Sequence, residues 1–451
     1  MSVEIVDSDY FIVKSSGLYN PSGYNLLGST EFAGGTVSNL ALNDGSHMTF
    51  RSYPSTFSST SNTSAIIAYR SNTGDNSLSS PKSRAWNGSA WSSPESEMAT
   101  AGSSVRFVRI AYSSVAMRYY ENIVVTLSDD GYLDAYVWNG SSWVISNDIA
   151  SVGTTQNAYR PFDIEYEKTS GEALLAYFPN SAAEIGYKIW NGTGWSQEYT
   201  YDLVSSATVG VRWLSLAQNP TGSSNEIALV CIDESNSDVY ALVWDGSSWG
   251  DKYLLTSSVT TANWEDIAVA YEQSSGYANF AYGTGDDAHV VRRTDVANYT
   301  DYTVDLTESR PPNWFSLKGD PASDRLMLLA VDSEAKLVTA DWNSTTWTLH
   351  GVQDQSLDSN STRSADIAWE PTGSKALMVW GTKNNELTYN VWTLGSGWGT
   401  DSTITMTGTH PWIQLRHDPR GVGPKILGAT LDSNSCLGSL KWDGTTLTGT
   451  A

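Results

Sequence analysis

Trp138-Asn-Gly-Ser-Ser-Trp143 is a turn with a strand end on either side, and it comes back along most of the chain. Close copies are Trp86-Asn-Gly-Ser-Ala-Trp91, Trp190-Asn-Gly-Thr-Gly-Trp195 and Trp244-Asp-Gly-Ser-Ser-Trp249. Looser ones are Trp342-Asn-Ser-Thr-Thr-Trp347, Trp392-Thr-Leu-Gly-Ser-Gly-Trp398 and Trp442-Asp-Gly-Thr-Thr-Leu447. The first tryptophans are spaced 52, 52, 54, 98, 50 and 50 residues apart. The 98 is two periods, so a degenerate copy belongs near Arg293, where Val290-Val-Arg-Arg-Thr-Asp has lost its Trp. A fixed period of about 50 residues marks a repeat architecture built from one supersecondary unit.

Within a period the apolar residues fall into four short runs. After Tyr159 these are Phe162–Glu167, Ala173–Tyr177, Ile185–Trp190 and Trp195–Tyr199. They are broken by Lys168-Thr-Ser-Gly171, by Pro179-Asn-Ser and by Asn191-Gly192. Asn-Gly or Asp-Gly between alternating apolar runs signals a tight hairpin, with both residues expected at positive φ. No stretch keeps a 3.6-residue period between caps, so helix is expected to be nearly absent. The fold class is therefore all-β: a β-propeller of eight four-stranded blades, or seven with a different N-terminal element. The domains are an N-terminal β extension at 1–46 and a propeller at 47–451. The extension is expected either to close the ring with a strand or to contact a neighbouring molecule, because an open sheet edge invites pairing.

A longer period overlies the first. The opening strands alternate between Phe162-Asp-Ile-Glu-Tyr-Glu, Asp266-Ile-Ala-Val-Ala-Tyr-Glu and Asp366-Ile-Ala-Trp-Glu-Pro on one side, and Trp213-Leu-Ser-Leu-Ala, Trp314-Phe-Ser-Leu-Lys and Trp412-Ile-Gln-Leu-Arg on the other. Phe107-Val-Arg-Ile-Ala opens the second series. An even blade number lets such two-blade units close without a mismatch.

Composition bounds the function. The chain has 451 residues, a net charge of −23 and 19 Trp. Nucleic-acid binding needs clustered Lys and Arg to neutralise phosphates and is not expected here. No 18-residue apolar run is present to span a membrane as a helix. Cys231, in an apolar run, and Cys436 make no disulfide framework. The opening Met1-Ser2-Val3-Glu4 shows no signal peptide in the chain as given. The acidic, Lys-poor, Ser/Thr-rich composition points to an extracellular or cell-surface protein. Sequons for N-glycosylation stand at Asn62, Asn87, Asn139, Asn191, Asn298, Asn343 and Asn360. Chance alone gives about six in such a composition, so they permit a glycoprotein without arguing for one.

Three groups of residues are candidates for a site. The hairpin tryptophans (Trp86, Trp91, Trp138, Trp143, Trp190, Trp195, Trp244, Trp249, Trp342, Trp347, Trp392, Trp398 and Trp442) read first as cross-strand packing, with ligand stacking as the alternative. Asp163, Asp266 and Asp366 read as one position in alternate blades, lining the mouth of the central channel. They are expected to accept backbone N–H groups of neighbouring blades, or alternatively to hold Ca²⁺ in a ring of oxygens. Arg106, Arg109, Tyr112, Arg118, Tyr119 and Tyr120 form the main basic-aromatic concentration, beside a loop at Ser113–Tyr120, and are candidates for ligand binding. His47, His289, His350, His410 and His417 have no metal-ligand spacing, and no metal or other cofactor is implied. Gly246-Ser-Ser-Trp-Gly250 matches a nucleophile motif, but it lies in the β-hairpin phrase where a strand-to-helix turn is required.

The hairpin phrase resembles the Asp-box of sialidase-like propellers and the Trp-Asp-Gly-x-Gly-Trp of fucose-binding lectin propellers. The chain also looks like the propeller-repeat surface proteins of microbes. The fucose lectins hold their sugar with a Glu three residues before the first Trp and an inner-strand Arg. Here those positions are Ser83, Ala135, Tyr187, Ala241, Thr339, Tyr389 and Ser439, and only Arg109 is similar to the expected Arg. Fucose recognition by that route is not expected. A sialidase needs an arginine triad and a Tyr nucleophile, and no placement of the 15 Arg matches such a motif. The expected function is a non-enzymatic adhesion or structural assembly module of a cell surface or filament. It would take other protein subunits or surface glycans as partners and form a homo-oligomer through residues 1–46. The alternatives are a carbohydrate-binding lectin and, second, a glycan-active hydrolase or lyase.

Overall fold

The computed structural model describes residues 2–7, 10–14, 46–50, 65–70, 80–86, 91–92, 96–99, 101–115, 118–154, 158–179, 183–203, 210–259, 263–306, 310–382, 385–418, 425–433 and 436–450, with side chains from 65 onward. The sequons at Asn62 and Asn87 and the side chain of His47 lie outside it.

Eight antiparallel sheets follow one another along the chain, each with its strands in sequence order. Their inner strands are Ser46–Phe50, Val105–Tyr112, Phe162–Tyr166, Val211–Gln218, Ile267–Tyr271, Pro312–Gly319, Ala365–Trp369 and Trp412–His417, here blades I to VIII. Each inner strand lies against those of the blades before and after it. Ser46–Phe50 lies against both Val105–Tyr112 and Trp412–His417, so the ring is closed. The protein is an eight-bladed, four-stranded propeller with no α-helix among the described residues.

Blade VIII ends with its own outer strand, Leu447–Thr450, paired to Leu437–Trp442. The N-terminal strands Ser2–Asp7 and Tyr10–Lys14 pair with each other in a separate two-stranded sheet. The closing strand considered from the sequence is therefore not supplied by them; blade VIII is complete without it. The fourth strand of blade III also differs from its sequence reading. Trp195 makes only an isolated bridge to Trp190, and the paired strand is Tyr199–Asp202.

The hairpin phrase folds one residue out of step with expectation. Trp138 pairs with Trp143 and Asn139 N–H donates to Ser142 O at 3.1 Å, so Gly140 and Ser141 are the central residues. Only the Gly is left-handed (φ 99° at Gly140, 92° at Gly192, 98° at Gly246), the φ signature of a II′ turn and not of I′. Asn139 serves through its side chain: Oδ1 accepts the N–H of Ser141 and of Ser142, each at 3.0 Å. Asn191, Asp245, Asn343 and Asp443 do the same. Asx residues recur here because they cap the turn.

The expected degenerate copy is present. Arg293 pairs with Ala278 where the other blades place the first Trp, and Tyr299 stands opposite it in place of the second. The two-blade period also has a structural meaning. The inner strands of blades II, IV and VI run eight residues and open with a β-bulge, while those of blades III, V and VII run five without one. A bulge twists its strand and re-aims the residues before it.

Candidate functional site

The ladders define which inner-strand residues share a level of the channel. Arg109, Asp163, Ser215, Ala268, Ser316, Asp366 and Gln414 pair with Val125, Ala176, Val230, Ala281, Leu329, Val379 and Ala429. Each partner lies three residues beyond the one opposite the hairpin Trp or, in blade V, Arg293. Two residues further along come Ala111, Glu165, Ala217, Ala270, Lys318, Ala368 and Arg416.

This register corrects the acidic ring. Asp163 and Asp366 are equivalent, but the equivalent residue in blade V is Ala268. Asp266 lies two residues earlier, against Gly283. A Cβ on Gly283 would fall 2.2 Å from Asp266 Oδ2. Asp266 is fully buried, neither carboxyl oxygen has a hydrogen-bond partner among the described residues, and burial drives its pKa far up. Asp163 and Asp366 instead bind across the seams. Asp163 Oδ2 accepts Leu216 N–H at 3.0 Å and Asp366 Oδ2 accepts Leu415 N–H at 2.8 Å, each from the next blade.

A charged cluster missed in the sequence surrounds these residues. Arg160, Glu265 and Arg363 precede the inner strands of blades III, V and VII at one equivalent position. They converge with Arg109. Arg363 Nη2 lies 2.6 Å and Arg109 Nη2 3.8 Å from Glu265 Oε1, and Arg160 Nη2 also binds that oxygen. Arg109 Nε lies 3.3 Å from Asp163 Oδ1. Burial pushes the Glu265 carboxyl up, but the charges of Arg160, Arg363 and Arg109 outweigh it and hold the group below the usual carboxylate range.

Below this cluster the channel opens in two steps. A narrow cavity of about 150 Å³ is lined by Arg109, Asp163, Glu165, Lys318, Arg363 and Arg416, among others. A wider one of about 520 Å³ adjoins it and shares Glu165, Leu216, Val269, Leu317, Lys318 and Arg416 with it. The wider cavity is edged by Tyr112, Tyr271, Trp369, Gln218, Gln273, Lys168 and His417. Burial, then the charge of Asp163, raises Glu165 to about 8. Burial, then repulsion from Arg416, lowers Lys318 to about 7, and burial brings His417 to about 4.

The basic-aromatic concentration does not converge. Arg109 and Tyr112 face the channel, while Arg106 pairs with Asp129 at the surface. Arg118 crosses to the next blade and donates to Gly171 O at 2.9 Å. Tyr119 and Tyr120 pack edge to face, and Tyr120 covers Gly140. The hairpin tryptophans meet as pairs, with centroids 5.5 Å apart for Trp86–Trp91, 5.4 Å for Trp138–Trp143, 5.6 Å for Trp190–Trp195 and 5.7 Å for both Trp244–Trp249 and Trp342–Trp347. In blade VII, Trp392 packs instead on Trp369. Among the described residues no group of three or more His, Cys, Asp or Glu is placed to hold a metal ion, and no helix is long and apolar enough to cross a membrane.

No family model matches the chain, and no curated protein matches it in sequence. Solved structures do match in fold. The BP39L lectin of Burkholderia pseudomallei is similar at a TM-score of 0.53 and 9% identity, over 76% of this chain and 98% of that one. The Aleuria aurantia lectin in complex with Fucalpha1-6GlcNAc gives 0.40 and 13%, over 68% and 95%. The SapL1 lectin in complex with alpha methyl fucoside gives 0.38 and 13%, over 76% and 94%.

Proposed function

We propose that this chain is a carbohydrate-binding propeller that acts by recognition and not by catalysis, outside the cell or on its surface. The observation that carries this reading is the wide mouth of the central channel. Its volume of about 520 Å³ lies in the range that takes a small ligand, and rings and hydrogen-bonding side chains line it together. Tyr112 offers an apolar edge for a sugar ring, and Gln218, Gln273 and Lys318 offer polar groups for hydroxyls. The fold likeness to a lectin supports the reading without locating the site, since a fold hosts many functions.

The test is a glycan array on the full chain, followed by calorimetry on its hits. Tyr112→Ala and Gln273→Ala should weaken binding at least tenfold, while Asn139→Ala, on an outer hairpin, should leave it unchanged. An array without hits at high protein concentration overturns the reading. Hits indifferent to both mouth variants overturn the placement.

A second reading, an adhesion or assembly module acting through residues 1–46, draws on the terminal sheet of Ser2–Asp7 and Tyr10–Lys14, which is paired to no blade strand. Microscopy of the full chain beside a 47–451 truncation tests it. Ordered assemblies that vanish on truncation would support it, and identical monodisperse rings in both samples would dismiss it.

A further inference from the structure

The narrow part of the channel carries an excess of positive charge in a protein whose net charge is −23. Arg109, Lys318, Arg363 and Arg416 line it, and Arg160 stands behind them. The carboxylates facing these cations are Asp163, Asp366 and Glu265, with Glu165 as a fourth carboxyl. Glu265 is engaged by three guanidiniums. Asp163 lies near Arg109 at 3.3 Å and Arg160 at 3.9 Å, and two of its contacts are backbone N–H groups. Asp366 is shared between Lys318, at 3.8 Å, and Arg416, at 3.7 Å, both beyond hydrogen-bond reach, while its own bonds go to Ser316 and Leu415. Among the described residues the Lys318 ammonium makes no hydrogen bond, and it lines both cavities.

We infer that the ligand class of this channel is an acidic sugar, whose carboxylate enters the narrow cavity toward Lys318 and Arg416 while its ring rests in the wide mouth. This rests on the carbohydrate-binding reading above. A carboxylate suits the planar fork of a guanidinium and the ammonium's donors alike. The cavity of about 150 Å³ has room for such a group but not for a sugar ring in addition. The charge states agree. With Glu165 raised to about 8, its carboxyl is mostly protonated at neutral pH and adds little repulsion. An arriving anion also restores charge to Lys318, which burial and Arg416 hold near 7.

The experiment compares three ligands on the intact protein by calorimetry: a methyl hexuronide, its methyl ester and the parent methyl hexoside. The expected result is at least tenfold tighter binding of the hexuronide than of the other two, with the preference lost in Lys318→Met. The ester comparison needs no variant, so it stands even where Lys318→Met fails to fold. Equal binding of all three would overturn the acidic assignment and leave the carbohydrate reading intact. Tight binding of the hexoside alone would do the same. No binding of any of the three, together with an empty glycan array, would overturn both.

Discussion

Trp244, on the hairpin of blade IV, donates its indole N–H to Glu167 at the end of the inner strand of blade III, 2.6 Å away and out of reach of solvent. The relationship repeats two and four blades on, with Trp342 to Glu272 at 3.1 Å and Trp442 to Glu370 at 2.8 Å. The tryptophan thus belongs to two sheets at once. Its face packs within its own hairpin, and its edge latches the blade before it.

Trp244→Phe keeps the apolar ring and removes only the donor. Leaving a buried carboxyl short of a partner should cost about 1–3 kcal/mol. Burial already raises Glu167, against the bonds from Ser170 and Trp244 that lower it. A raised group contributes its full stability below the ordinary carboxylate range and loses it as pH rises through the folded pKa. The variant raises the group further, so its penalty should be largest at neutral pH and small near pH 4. Thermal unfolding at the two pH values checks this, and an equal penalty at both would refute it.

Glu265→Gln should be among the most damaging single changes in the channel. It leaves Arg109, Arg160 and Arg363 without the charge that joins them. Breaking a buried ion pair from one side costs roughly 3–5 kcal/mol. Glu265 is held low, so its contribution is present above the ordinary carboxylate range and is lost as pH falls through its folded value. Denaturant titration should show a large deficit at pH 7 that narrows toward pH 2.

Asp266→Asn is expected to stabilise the protein at pH 8 and to change little at pH 4. The wild-type carboxyl is raised by burial and must stay protonated to remain in the fold, a demand that grows as pH rises. The variant should flatten the alkaline loss of stability in a pH series of melting temperatures. An unchanged slope would mean the carboxyl finds compensation elsewhere.

Ser344 occupies, at φ 80°, the turn position where the hairpins at Gly140, Gly192, Gly246 and Gly444 carry Gly. A non-glycine residue held there costs roughly 1–2 kcal/mol. Ser344→Gly should recover part of that, on the order of 1 kcal/mol after glycine's own entropic cost. The gain would register as an upward shift in the unfolding midpoint.

The blade count was legible because the hairpin needs the same residues in each unit. Even the altered copy at Arg293 could be placed by spacing. The latching glutamates were in plain view at the ends of the quoted inner strands, but their Trp partners lie about a blade and a half further along. Lys318 and Arg416 likewise close the spellings Trp314-Phe-Ser-Leu-Lys and Trp412-Ile-Gln-Leu-Arg. Aligning on Asp-Ile put Asp266 beside Asp163, whereas aligning on the terminal Glu167, Glu272 and Glu370 gives the true register. The Arg160, Glu265 and Arg363 position was hidden because residues of opposite charge fill it, and only the closed ring brings them together.

The seam between blades VIII and I is made as the other seven are, by two inner strands side by side, with no strand borrowed across it. Among the described strands, the sheets of blades VIII and I share none. Circular permutants opened at any inter-blade link and joined across that seam should reach the same ring, with their order of synthesis, and not their architecture, changed.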